Sequence, residues 1–257
     1  MGIYARYLGE WYRVDEGGSA GELPGLGGWA NITDVSAPSG IKYTYTESET
    51  GTSWVAYEFR SDGTITIQEQ GLMDAIVTGA GQNHATGNGG DVNQGTDLFE
   101  EGTHDVTVGI TTSGFGGTSF ITSQSTGKNE LISRGGGGAN SRGAGAMIGG
   151  TTSTNQDSTP IYSSITGEEE WYGSGSALSP VGKSYRGSGG DLAAHYTQNE
   201  LDGCVILRVP QGNDLYNKVP FGWTEIPRGA VTKTKTTQKD TAIIDGRETK
   251  IKRNRKR

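Results

Sequence analysis

The sequence predicts an all-β protein, an antiparallel sandwich-like domain with long glycine-rich loops, and three observations carry that prediction. Ile and Val together outnumber Leu 29 to 11, and β-branched side chains lose less freedom on a pleated surface than in a helix. Apolar and polar residues alternate at period two in a succession of short runs. Glycine supplies 44 of the 257 residues, more than twice its usual share, and gathers between those runs.

Taken in order, the chain opens on an aromatic zone, residues 1–40. Ile3, Tyr4, Tyr7, Leu8 and Trp11 recur at helical spacing, which predicts a short amphipathic segment that either covers its own domain or docks on another protein. The run from Gly17 to Gly28 ends it. Period-two strands follow at Ile41–Tyr45, Trp54–Phe59, Thr64–Ile67 and Leu72–Val77. Ser61-Asp62-Gly63 reads as a tight hairpin turn, because Asp-Gly accepts the positive φ such turns need, so these strands are expected to form a meander. Further strands are expected at His104–Val108, Ser119–Thr122, Glu130–Ile132, Glu169–Tyr172 and Cys204–Val209. The intervening glycine stretches are either linkers or segments that pack backbone against backbone in polyglycine-II-like form, as glycine does at the collagen axis. After residue 210 the chain turns polar and then basic. Asp245-Gly246 predicts a hairpin between Thr241–Ile244 and Arg247–Lys252. The division expected is thus 1–40, 41–210 and 211–257.

Composition excludes several classes. Leu, Ile, Val and Phe are too few for a large single-chain core, and the lone Cys204 rules out an intrachain disulfide, which leaves oligomerisation as the route to stability. The net charge of −7 is too small for a charge-swollen disordered chain. No run approaches the length of a membrane-spanning helix, and the start has no secretory h-region, so synthesis in a cytosol without membrane insertion is expected. The sequon Asn31-Ile32-Thr33 then carries no weight.

Several motifs invite a catalytic reading and fail it. Ala177 to Ser184 fits a relaxed phosphate-binding loop, yet glycine and serine replace the flanking strand and helix it needs. Ala75 to Gly81 resembles the first turn of a dinucleotide fold, but Asn83 and Ala85 stand where further glycines belong. His84, His104, His195 and Cys204 have no zinc-ligand spacing. Glu100-Glu101 and Glu168-Glu169-Glu170 read as solvated faces, and no nucleophile, base and orienter stand together. No enzyme, metal or cofactor is expected. Arg-Gly pairs at Arg134, Arg142 and Arg186 suggest single-stranded nucleic acid, but the body of the chain is acidic and only the end from residue 228 onward is basic.

The order of segments resembles the glycine-rich domain of bacteriophage minor tail and tail-fibre proteins. The likeness runs from Tyr57-Glu58-Phe59 and Ser61 to Ile67, through Gly71 to Gly81, Gly102 to Gly109, Gly117 to Phe120, Leu131 to Gly138 and Ser164 to Gly167, and closes on Gly203 to Pro210. It spans about residues 41–210. The chain departs from the family pattern where Gln82 to Ala85 and Gly173 to Ser176 replace longer glycine runs. The resemblance implies a non-catalytic virion component at or near the distal tail, trimeric, linking other tail proteins or displaying loops to the host surface.

Within that expectation, Tyr4, Tyr7 and Trp11 at the front and Lys252, Arg253, Arg255, Lys256 and Arg257 at the basic end are the candidate docking residues for neighbouring tail proteins. The alternative is a receptor-binding adhesin in which Trp171, Tyr172 and Tyr185 on glycine-rich loops stack host glycans. Nucleic-acid binding through the basic end is a third reading, which the acidic body disfavours.

Overall fold

The computed structural model describes residues 3–7, 10–14, 28–83, 89–112, 115–127, 129–133, 135, 161–173, 185–188, 197–232, 241–244 and 247–250. A short hairpin, β1 (Ile3–Tyr7) and β2 (Glu10–Val14), precedes β3 (Asn31–Ser36), β4 (Gly40–Glu47), β5 (Ser53–Phe59), β6 (Gly63–Glu69), β7 (Gly71–Thr78) and β8 (Val92–Phe99). Next come β9 (Gly102–Thr107), β10 (Thr111–Thr112), β11 (Phe115–Gly116), β12 (Ser119–Ser123) and β13 (Asn129–Ser133). The later part supplies β14 (Ile161–Ser163), β15 (Glu170–Tyr172), β16 (Tyr185–Arg186), one helical turn α1 (Gln198–Leu201), β17 (Cys204–Pro210), β18 (Thr224–Val231) and a second hairpin, β19 (Thr241–Ile244) and β20 (Arg247–Lys250).

Two sheets face each other across the main core. One is antiparallel throughout, in the order β13-β12-β9-β6-β3; the other runs β18-β4-β5-β17-β7-β8 and is antiparallel except for the parallel pair of β18 with β4. Alternation assigns the faces. Val55, Tyr57 and Phe59, Met73, Ala75 and Val77, and Val205, Leu207 and Val209 meet Ile32, Val35, Ile65, Ile67, Val106 and Ile121 of the opposite sheet. The opposite face of the six-stranded sheet is buried as well. Tyr43, Ala56, Ile76, Cys204 and Ile206 pack there against Ile165 and Tyr172, which belong to or adjoin a small sheet of order β14-β15-β16. Burial on both faces is why β5, β7 and β17 read as nearly unbroken apolar runs.

The structure corrects the expected meander. Asp62-Gly63 makes no hairpin, because β5 and β6 lie in different sheets and the chain turns a corner between them. The Asp62 carboxylate accepts the Val108 amide at 2.8 Å, and a Cβ on Gly63 would meet the backbone of Ser36 and Ala37. Glycine serves close approach there. The front segment is corrected too: it is an antiparallel hairpin with Tyr7 opposite Glu10 and Arg6 opposite Trp11, not an amphipathic helix. Its Ile, Tyr and Trp are strong strand formers, and strand propensity prevails over a helical stripe only two turns long.

The sandwich also crosses both expected boundaries. Residues before 41 contribute β3 to the five-stranded sheet, and residues after 210 contribute β18 to the six-stranded sheet. Trp223 enters the main core, donating its indole N–H to the Ala37 carbonyl at 2.9 Å and meeting Phe59 edge-on at 5.1 Å. Strands β3, β8 and β18 were not anticipated. β18 holds Pro227 and Gly229 with a register shift between them, which an edge strand tolerates, while β8 carries four polar residues that stay half-buried or exposed.

Candidate functional site

One end of the sandwich is built from glycine backbone. Outside the ladders, the Gly79 amide donates to Asp91 O (3.0 Å), Ala80 to Gly117 O (2.9 Å), Gly81 to Leu201 O (2.7 Å) and Gly90 to Gly187 O (2.7 Å). Gly173 donates to Arg186 O, Gly187 to Asp202 O and Gly203 to Gly109 O, each at 2.8 Å. Segments distant in sequence therefore satisfy one another's backbone groups without forming a sheet. Only glycine permits the approach: a Cβ on Gly90 would stand 1.9 Å from the Gly79 carbonyl oxygen, and one on Gly135 1.9 Å from that of Gly116. Near this junction the described residues end at Asn83, Gly135, Gly173 and Ser188. Beside it, the β10–β11 hairpin is tied down by the Thr111 amide to Asp202 Oδ1 at 2.7 Å, with Ile110 and Phe115 exposed to 59% and 61%.

The second feature lies on the outer face of the six-stranded sheet, where strand alternation that puts Tyr57 and Phe59 inward puts Glu58 outward beneath the small sheet. Glu58 accepts Tyr43 Oη at 2.6 Å, Arg60 Nε at 2.8 Å and Arg186 Nε at 2.9 Å. Burial works to raise its pKa, but Arg186, Arg60 and the Tyr43 hydroxyl outweigh it and hold the carboxyl below its ordinary value. Arg208 on β17 forks onto Asp74, donates to Tyr45 Oη at 2.7 Å and lies over the Trp54 ring at 4.1 Å. Arg228 on β18 pairs with Glu168 and Glu170 and covers the Tyr43 ring at 4.9 Å. Glu170 is pushed up by burial and then by the charge of Glu58, against the Tyr172 hydroxyl and Arg228. Burial also pushes the Cys204 thiol and the Tyr43 and Tyr172 hydroxyls well up, so all three stay neutral and the two tyrosines serve as donors to Glu58 and Glu170. The thiolate a nucleophile requires is disfavoured.

Between the small sheet and the edge of the sandwich runs a cleft of about 390 Å³ lined by Tyr45, Glu47, Tyr162, Ser163, Ser164 and Glu168 among others. At its mouth Tyr162, 41% exposed, meets Trp171 edge-to-face at 4.6 Å. An aromatic face beside hydroxyls and carboxylates suits a ligand that is apolar on one side and hydroxylated on the other.

The structure separates the candidates that the sequence grouped. Trp171 lies next to Tyr162 in register across β14 and β15, and opposite Tyr185 across β15 and β16. Tyr172 is corrected: it is 1% exposed, sits in the outer core and donates to Glu170 at 2.8 Å, so it offers no surface to a glycan. Alternation along β15 forces this, since neighbours of an outward Trp171 must point in. Tyr4, Tyr7 and Trp11 fall on the β1–β2 hairpin; Lys252, Arg253, Arg255, Lys256 and Arg257, like Ala177 to Ser184, His84 and His195, lie outside the described residues. His104 is a core residue, edge-on to Phe99 with Nε2 at 2.9 Å from Glu100 O. Tyr162 was missed, although the alternation of Ile161-Tyr162-Ser163 carried the signal. Comparison with family models, curated proteins and solved structures finds no match.

Proposed function

We propose that this chain is a non-catalytic structural component of a bacteriophage tail, placed at or near the distal tip, that links neighbouring tail proteins and presents glycine-anchored loops toward the host. The single observation supporting this most is the glycine junction. A sandwich with several chain segments converging at one end, on backbone that tolerates no side chain at Gly90 or Gly135, is suited to holding surface connections on a fixed base. In this reading the assembly is a homotrimer in the virion, synthesised in the bacterial cytoplasm, with the aromatic hairpin and the basic end as attachment points. It takes no cofactor, does not insert in a membrane and does not bind nucleic acid. Immunogold labelling of virions from a host carrying the gene tests it: label at the distal tail is expected, and unlabelled virions would remove the structural role. Light scattering of the purified chain is expected to report three copies of 27.1 kDa; a monomer at all concentrations would remove the trimer.

A second reading, a glycan-binding tail adhesin, is favoured by the Tyr162–Trp171 pair beside the cleft. Binding of the soluble protein to labelled host cell wall, lost in Trp171→Ala with an unchanged melting curve, would select it over the purely structural role.

A further inference from the structure

At one rim of the main core a lysine meets an aspartate in an arrangement that exceeds what an ion pair needs. Lys42 enters from β4 on the inward face and is 4% exposed; Asp214 follows β17 and its side chain is 3% exposed. Lys42 Nζ lies 2.8 Å from Asp214 Oδ2 and is aimed by a second bond of 2.9 Å to the Lys218 carbonyl. The other carboxylate oxygen is served separately. Oδ1 accepts the Tyr57 hydroxyl at 2.8 Å and the Asn217 amide at 3.2 Å. Asn217 holds that amide in place with φ +45, the one left-handed non-glycine conformation among the described residues. The Tyr57 ring, 5.2 Å from Nζ, walls the pair from one side.

One oxygen beside an amine and the other in a two-donor cradle is the layout of acyl transfer, with donors waiting where negative charge develops and the nucleophile held in reach. We propose that Lys42 and Asp214 condense within the folded chain to an amide, an intramolecular isopeptide crosslink. Nζ passes a proton to Oδ2 and attacks Cγ. The N–C bond forms and charge gathers on Oδ1, where Tyr57 and the Asn217 amide stabilise it. The Cγ–Oδ2 bond then breaks and Oδ2 leaves as water. Two of the three ammonium hydrogens go with that water and the third stays on the amide nitrogen. An ammonium and a carboxylate thus become an amide and one water, with no oxidant, reductant or co-reactant. Exclusion of bulk water from the site opposes the reverse hydrolysis. The link would join residues 172 positions apart, tying β4 to the segment that closes the sandwich, in a chain whose single cysteine offers no disulfide. It stands independently of the tail reading.

Intact-mass spectrometry of the purified full-length protein tests the proposal. A mass below that of the sequence by one water, about 18 Da, is expected. Tandem spectra should locate it in a branched peptide joining Lys42 to Asp214, and tryptic fragments from either side should stay linked in denaturant. Lys42→Met and Asp214→Ala should both show full mass. Asp214→Asn should lose ammonia instead, and Tyr57→Phe should approach the crosslinked mass more slowly. Full mass in a cooperatively folding wild-type protein overturns the proposal. So does a water loss mapped to a linear peptide at Asp62-Gly63, Asp202-Gly203 or Asp245-Gly246, which marks a succinimide.

Discussion

Glu58 shows how much a single side chain can decide. It sits fully buried on the outer face of β5 with two arginines and a tyrosine on its carboxylate, so Glu58→Gln removes the negative charge that Arg186 and Arg60 share in a dry layer. A loss of about 3 kcal/mol is expected in urea unfolding at neutral pH. The pH dependence has a definite sign. Because the folded carboxyl holds its proton less tightly than the unfolded one, the unfolded chain binds more protons just below pH 4.5, and stability rises with pH across that window. The Glu58 contribution is complete above 4.5 and is lost as the pH falls through the folded value, where wild type and Glu58→Gln should converge. Glu170 has the opposite sign, since its folded pKa is raised, and its protonation partly offsets the loss. Parallel curves for the two proteins down to acid unfolding would refute this assignment.

At the scale of elements, glycine does two different jobs that the sequence does not distinguish. Gly90 has no room for a methyl group, because a Cβ meets backbone that cannot move aside, whereas Gly95, in the middle of β8, has no atom within 4 Å of the same position. Gly90→Ala should therefore cost about 3 kcal/mol and lower the melting temperature. Gly95→Ala should gain about 0.5 kcal/mol by removing strand-weakening flexibility. Equal effects at the two sites, measured by calorimetry, would mean that the glycine junction is not packed as described. The corner at Gly63 belongs with Gly90: an Asp-Gly pair that predicts a hairpin is used to carry the chain from one sheet to the other.

For the whole molecule, the two facing sheets draw their strands from Asn31 to Val231, across both boundaries that composition suggests. A truncation after residue 210 removes β18, Trp223 and Asp214 and leaves Lys42 buried without its partner. That chain should fail to show a cooperative melt, while residues 28–232 should melt cooperatively with near-UV signals intact. A sharp transition in the shorter chain would show that β4 can serve as the sheet edge by itself. Scarcity of apolar residues, read from composition as a need for other subunits, is met in part inside the chain. A third layer covers the outer face of the larger sheet, and buried arginine–carboxylate and tyrosine contacts supplement the apolar packing there.

The sequence by itself determined the all-β class and most central strands, because alternation and β-branched composition are local properties that a chain displays before it folds. The runs at residues 41–45, 54–59, 72–77 and 204–209 became β4, β5, β7 and β17. The Asp245-Gly246 signal became the β19–β20 hairpin. Tertiary structure alone decided which sheet each strand joins, that β3 and β18 close the two sheets, that Tyr172 turns inward while Trp171 meets Tyr162, and that Lys42 finds Asp214. These outcomes depend on partners far away in the chain, and no local pattern of side chains encodes a contact between residues 172 positions apart.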